Sequence, residues 1–226
     1  MGAITIFAGH YGSGKTTAAV NYALKLRREI DGEIAPCAVV LCDMDIVNPY
    51  FRTADYAKLL AEHGVELISS SYANTNVEMP WLPTQAVRVF DDPTLTSIID
   101  LGGDDCGALA LGRYAQQMQG RGDIRLLMVV NPCRPMTRDI AGLRQVQEEI
   151  EAAAGLKFTG IVNSTNLGED TTAELIAEQM PLLRELAQTL GLPIVFTAVP
   201  AELPLEVPED MGERLDIVRY PNRFGA

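Results

Sequence analysis

The octapeptide Gly9-His10-Tyr11-Gly12-Ser13-Gly14-Lys15-Thr16 constrains this chain more than any other feature of its sequence. It fits G-x-x-x-x-G-K-[ST] and stands between an apolar, β-branched run at residues 3–8 and a segment of helical spacing at 16–30, the context that the motif requires. Its three glycines allow the loop to turn backbone N–H groups inward around a polyphosphate, at the positive end of the following helix. Lys15 supplies a point charge for the outer phosphates, the Thr16 hydroxyl is a candidate magnesium ligand, and Thr17 extends the cradle into the helix. Residues 9–17 are therefore the candidate nucleotide-binding segment.

Two further runs end in carboxylates. In Leu41-Cys42-Asp43-Met44-Asp45 the acids stand two residues apart at the end of a buried-type strand. In an open α/β sheet, such an end beside the phosphate loop faces the ligand crevice. Asp45 is a candidate to orient or deprotonate an attacking water and to join the metal shell; Asp43 would hold the loop or a metal-bound water. The run Ser97-Ile98-Ile99-Asp100-Leu101-Gly102-Gly103 has the pattern of a Walker B carboxylate acting through magnesium, with the Gly103 N–H placed to sense a γ-phosphate. Asn131 and Asn163 close two more apolar runs, and an amide both donates to and accepts from an adenine edge. Residues 163–166 lack the Lys and Asp of an N-K-x-D motif, which favours ATP over GTP.

Strand-like runs recur at 3–8, 37–42, 65–69, 96–100, 125–130, 159–163 and 193–198, most of them continuously apolar, as in strands covered on both faces. Helical spacing occupies 16–30, 137–154 and 171–190, with Thr137 and Thr171 as expected N-caps and Gly191 as the expected C-cap. This alternation predicts an α/β three-layer sandwich, a mostly parallel twisted sheet flanked by helices. With 226 residues, 47% of them hydrophobic, and neither repeat nor linker, a single domain over 1–226 is expected. The least regular stretch, 69–93, is expected to be a packed surface excursion or a partner-binding loop.

Eighteen Lys and Arg against thirty Asp and Glu give a net charge of -12, which argues against nucleic acid as a partner. Four cysteines form no C-x-x-C pair and read as buried, reduced thiols. With no charged leader and no apolar run of membrane-spanning length, the expectation is a cytoplasmic chain without a membrane partner.

The order of these motifs resembles the MinD/ParA group of SIMIBI-class P-loop ATPases, whose members include the nitrogenase iron protein and dethiobiotin synthetase. The resemblance implies that residues 43–48 act as switch I, that Asp100 to Gly103 form Walker B and switch II, and that Asn163 with Pro200, in the run Thr197-Ala198-Val199-Pro200-Ala201-Glu202, contacts adenine. It implies ATP or ADP with magnesium as cofactors, a protein partner, and an ATP-dependent homodimer. His10 stands where the group carries a lysine that crosses to the partner's phosphates, and a neutral imidazole lacks that fixed charge. The basic amphipathic C-terminal helix of MinD has no counterpart in residues 219–226, so membrane cycling is not expected. Besides an ATPase switch, the group admits a small-molecule kinase or ligase of the dethiobiotin synthetase type and a slow ATPase scaffold for metal-centre assembly.

Overall fold

Strands that are apolar on consecutive residues need cover on both faces, and this sheet receives it. The computed structural model describes residues 3–30, 38–45, 53–69, 84–103, 105–118 and 122–220. Within them, β1 (Ile4–Ala8), β2 (Ala38–Met44), β3 (Glu66–Ile68), β4 (Leu95–Leu101), β5 (Ile124–Val130), β6 (Gly160–Asn163), β7 (Ile194–Pro200) and β8 (Glu213–Ile217) form one sheet. The order is β3-β2-β4-β1-β5-β6-β7-β8, and every pairing is parallel.

Two cores follow from the alternation of side chains. Phe7, Leu41, Ile98, Leu127, Val129 and Val162 pack against α1 (Lys15–Ile30) and α2 (Ala57–Glu62). Their neighbours Ile6, Val40, Cys42, Ile99 and Met128 face α3 (Arg88–Asp91), α4 (Asp105–Gly112), α5 (Ala115–Met118), α6 (Ile140–Ala154) and α7 (Ala173–Leu190). Each fully buried Phe, Leu or Ile contributes about 1.5–3 kcal/mol relative to exposure. The architecture is the expected three-layer α/β sandwich.

The expected caps shift by one or two residues. Thr137 closes a 3-10 turn and donates its hydroxyl to Asn131 O at 2.6 Å, so Asp139 caps α6 by accepting from Gly142 N at 2.9 Å. Thr171 holds the preceding loop, accepting from Leu167 N at 2.9 Å, and Thr172 caps α7 by accepting from Leu175 N at 3.1 Å. Gly191 ends α7 in the left-handed conformation at φ 65°, as expected. β8 is an element the apolar runs did not announce: its sequence alternates, with Leu215 buried between Arg214 and Asp216 and Ile217 buried after Asp216. The expected irregular stretch 69–93 is partly helical, because Ala86, Val89 and Phe90 share a buried face over a 3-10 turn and α3; residues 70–83 lie outside the described residues.

Candidate functional site

Parallel pairing brings the carboxyl ends of β1, β2, β4, β5 and β6 to one edge, where the phosphate loop leaves β1. Two glycines there admit no side chain. A Cβ on Gly9 would lie 2.4 Å from Val129 O, and one on Gly14, held at φ 91°, would lie 2.5 Å from Ser164 Oγ. The loop is thus pressed between the ends of β5 and β6. Lys15, 6% exposed, donates from Nζ to His10 O at 3.2 Å, which folds its side chain back over the loop. Gly103 closes on the same point, since a Cβ there would meet Lys15 Nζ at 2.8 Å and Tyr11 N at 2.9 Å.

The register sets Asp43 of β2 opposite Asp100 of β4. Asp100 is 1% exposed, and its Oδ2 accepts from Thr16 Oγ1 at 2.7 Å and from Thr53 Oγ1 at 2.6 Å. Burial pushes its carboxyl up to about 6, against the opposing pull of the Thr53 and Thr16 hydroxyls and the Lys15 charge, while the Asp45 charge acts in the same sense as burial. Its Oδ1 is buried without a hydrogen-bond partner among the described residues. Asp43 accepts at Oδ1 from Asp45 N at 3.0 Å, and Asp45 Oδ1 lies 3.4 Å from where a Gly102 Cβ would stand. Thr16, Asp43, Asp45, Asp100, Gly103 and Lys15 therefore converge on one crevice. Thr53 belongs to the same network although nothing in the sequence signals it; it follows residues 46–52, which lie outside the described residues.

These oxygens fit magnesium. Among the described residues no group of three or more His, Cys, Asp or Glu forms a cage, and magnesium with a nucleotide needs only one or two protein oxygens beside phosphates and waters. A buried carboxylate oxygen without a hydrogen-bond partner, beside a threonine hydroxyl, suits that role.

At the other end of the crevice the expected base-contacting residues separate. Asn131 spends its amide inside the fold: Oδ1 accepts from Cys133 N at 3.1 Å and Asn166 N at 3.2 Å, and Nδ2 donates to Asn166 O at 3.0 Å. Asn163 accepts at Oδ1 from Thr165 N and Oγ1 at 3.1 and 2.7 Å, and its buried Nδ2 has no hydrogen-bond partner among the described residues. Pro200 is buried at the end of β7, where it pairs with Ile217. A cavity of about 340 Å³ lies beside Thr17, Asn21, Tyr56, Asn166, Glu169 and residues 217–220; Asn131, Asn163 and Pro200 do not line it. Asn166 turns its Oδ1 into its own loop, accepting from Gly168 N at 2.5 Å and Thr171 Oγ1 at 3.2 Å, which leaves its amide nitrogen as the group to meet a ligand. Burial, followed by the Asp55 and Asp100 charges, raises the Tyr56 phenol, which stays protonated as a donor.

Outside the crevice, Tyr11 is 59% exposed at the tip of the phosphate loop, and the His10 ring meets Tyr11 O at 3.1 Å. Cys42 is buried, which pushes its thiol far up; Cys133 is half-buried; Cys37 and the Cys106 side chain lie outside the described residues. No described helix is long and apolar enough to cross a membrane.

Neither a protein-family model nor a curated protein matches the sequence. Among solved structures, the chain is similar to cell division protein FtsY of Thermotoga maritima, with TM-score 0.56 and 21% identity over 88% of this chain. It spans 62% of that chain's length. The signal recognition particle 54 kDa protein of Aeropyrum pernix K1, solved in complex with GDP, matches with TM-score 0.40 and 15% identity over 88% of this chain and 35% of that one. The FtsY likeness, the all-parallel sheet and the loop between β1 and α1 together give this chain the fold of the P-loop NTPases.

Proposed function

We propose that this chain is a magnesium-dependent ATP-binding protein and ATPase of the MinD/ParA type, acting as a nucleotide-dependent switch for a protein partner. The observation that carries this reading is the double acceptance at Asp100. One buried carboxylate joins Thr16, at the end of the phosphate-loop motif, to Thr53, which follows Asp43 and Asp45 in the chain, so three segments share one polar network. Thr16 and Asp100, with Asp45 beside them, would hold magnesium, which neutralises phosphate charge when bound with nucleotide. Lys15 is poised over the loop to meet the outer phosphates, and Asp45 sits at the crevice where an attacking water is oriented. Any change in the hydrogen bonds of Thr16 is felt at Thr53 through the shared oxygen, which supports a switch.

Adenine is favoured because residues 163–166 lack the Lys and Asp of an N-K-x-D motif, whose carboxylate would accept from the N1 and N2 donors of guanine. The acidic balance of the chain favours a protein partner in the cytoplasm over nucleic acid or anionic membrane. The face carrying exposed Tyr11 is the one on which a second copy would meet the nucleotide. A phosphate-release assay tests the reading. The protein is expected to hydrolyse ATP with magnesium, and Asp45→Asn to bind ATP while losing about 10²-fold or more in turnover. Turnover by Asp45→Asn at the parental rate would contradict the assigned role.

A further inference from the structure

The cavity beside Thr17 has a wall that the phosphate-loop motif does not supply. Beyond β8 the chain runs against α1, and Asn21 fixes it there: its Nδ2 donates to Val218 O at 3.3 Å while its Oδ1 accepts from Val218 N at 3.0 Å. The same Nδ2 donates to Thr17 O at 2.9 Å, so one amide ties this segment to the helical turn that follows the phosphate loop. On the other side, the Arg219 guanidinium donates to Gly168 O, in the loop that also carries Asn166. Residues 217–220 are thus bridged both to α1 and to the loop after β6. Tyr220 and Tyr56 both line this open-sided cavity, whose volume of about 340 Å³ lies in the range of small-ligand sites.

We propose that residues 217–220 form a nucleoside-recognising strap: the base of the bound nucleotide occupies this cavity, walled by Tyr56 and Tyr220 and met by the Asn166 amide nitrogen. Arg219 is a positioning residue that holds the strap against the loop after β6. The proposal rests on the nucleotide reading above and adds the part of the chain that distinguishes a nucleotide from a bare polyphosphate. Tyrosine suits the task, since an aromatic face stacks on a base at low conformational cost, and such stacking is sequence-tolerant. Tyr56 also lies three residues beyond Thr53 in the same 3-10 turn, so the base wall and the Asp100 network share one element.

Equilibrium titrations of the full chain with ADP and with inorganic tripolyphosphate, on the parent, Tyr220→Ala and Arg219→Ala, test the strap. The expected result is at least a tenfold rise in the ADP dissociation constant for both variants, with tripolyphosphate affinity held within twofold and an unchanged melting temperature. Unchanged ADP affinity in both variants would overturn the proposal. So would a parallel loss for both ligands, which would make the strap a support of the fold alone. A parent that binds tripolyphosphate as tightly as ADP would overturn the strap while sparing the phosphate loop, and a parent that binds neither would overturn the nucleotide reading with it.

Discussion

Asp100 is destabilising where it stands, and that burden fits a binding role better than a structural one. Its ordinary value of 3.8 applies in the unfolded chain and about 6 in the folded one, so between them the native state holds the extra proton. Stability therefore falls as pH rises from about 4 to about 6; the penalty is absent below this window and fully present above it. A shift of this size corresponds to about 3 kcal/mol. Asp100→Asn keeps an oxygen for the Thr16 and Thr53 hydroxyls and removes the buried charge. Urea unfolding of the nucleotide-free protein is expected to show the variant about 1–3 kcal/mol more stable than the parent at pH 8, with the gain shrinking toward pH 4.5, while magnesium-dependent turnover is lost. A variant no more stable at pH 8 would contradict the burial account. Residues of this kind were legible in the sequence because each needs one chemical type at one spacing from the loop. Thr53 was not, since a hydroxyl that reaches a carboxylate across 47 positions follows no spacing rule.

At the scale of elements, the strands with continuous apolar runs were legible because burial on both faces leaves no choice of residue. β8 escaped because among the described residues it pairs only with β7 and needs an apolar residue at every second position, a pattern that five residues, Glu213–Ile217, barely express. Helix ends were legible to within a residue or two. Adjacent threonines at 171 and 172 offer equivalent hydroxyls, and only the fold decides that Thr171 ties down the loop while Thr172 caps α7. Thr172→Ala is accordingly expected to cost about 1 kcal/mol in denaturant unfolding. An unchanged midpoint would show that the cap is dispensable beside the tertiary packing of α7.

For the whole molecule, the sequence marks the crevice beside the phosphate-loop motif but not the cavity beside Thr17. The crevice is built from strand ends that each carry a motif, whereas the cavity is assembled from α1, the turn containing Tyr56, the loop after β6 and the strap after β8, none of which is distinctive alone. Asn131 shows the consequence: an amide at a strand end matches a base contact by type, yet its polar atoms bind the loop after β6. Because the phosphate face is also the one bearing Tyr11, light-scattering mass is expected to double with magnesium and a non-hydrolysable ATP analogue and to stay monomeric with ADP. An unchanged mass in both states would remove the homodimer from the switch. The most direct measurement is calorimetric titration of magnesium-ATP into the parent and into Lys15→Ala. A phosphate loop that holds the nucleotide predicts saturable one-to-one binding by the parent and at least a hundredfold weaker binding by the variant. Equal affinities, or no binding by the parent, would contradict nucleotide binding at this loop.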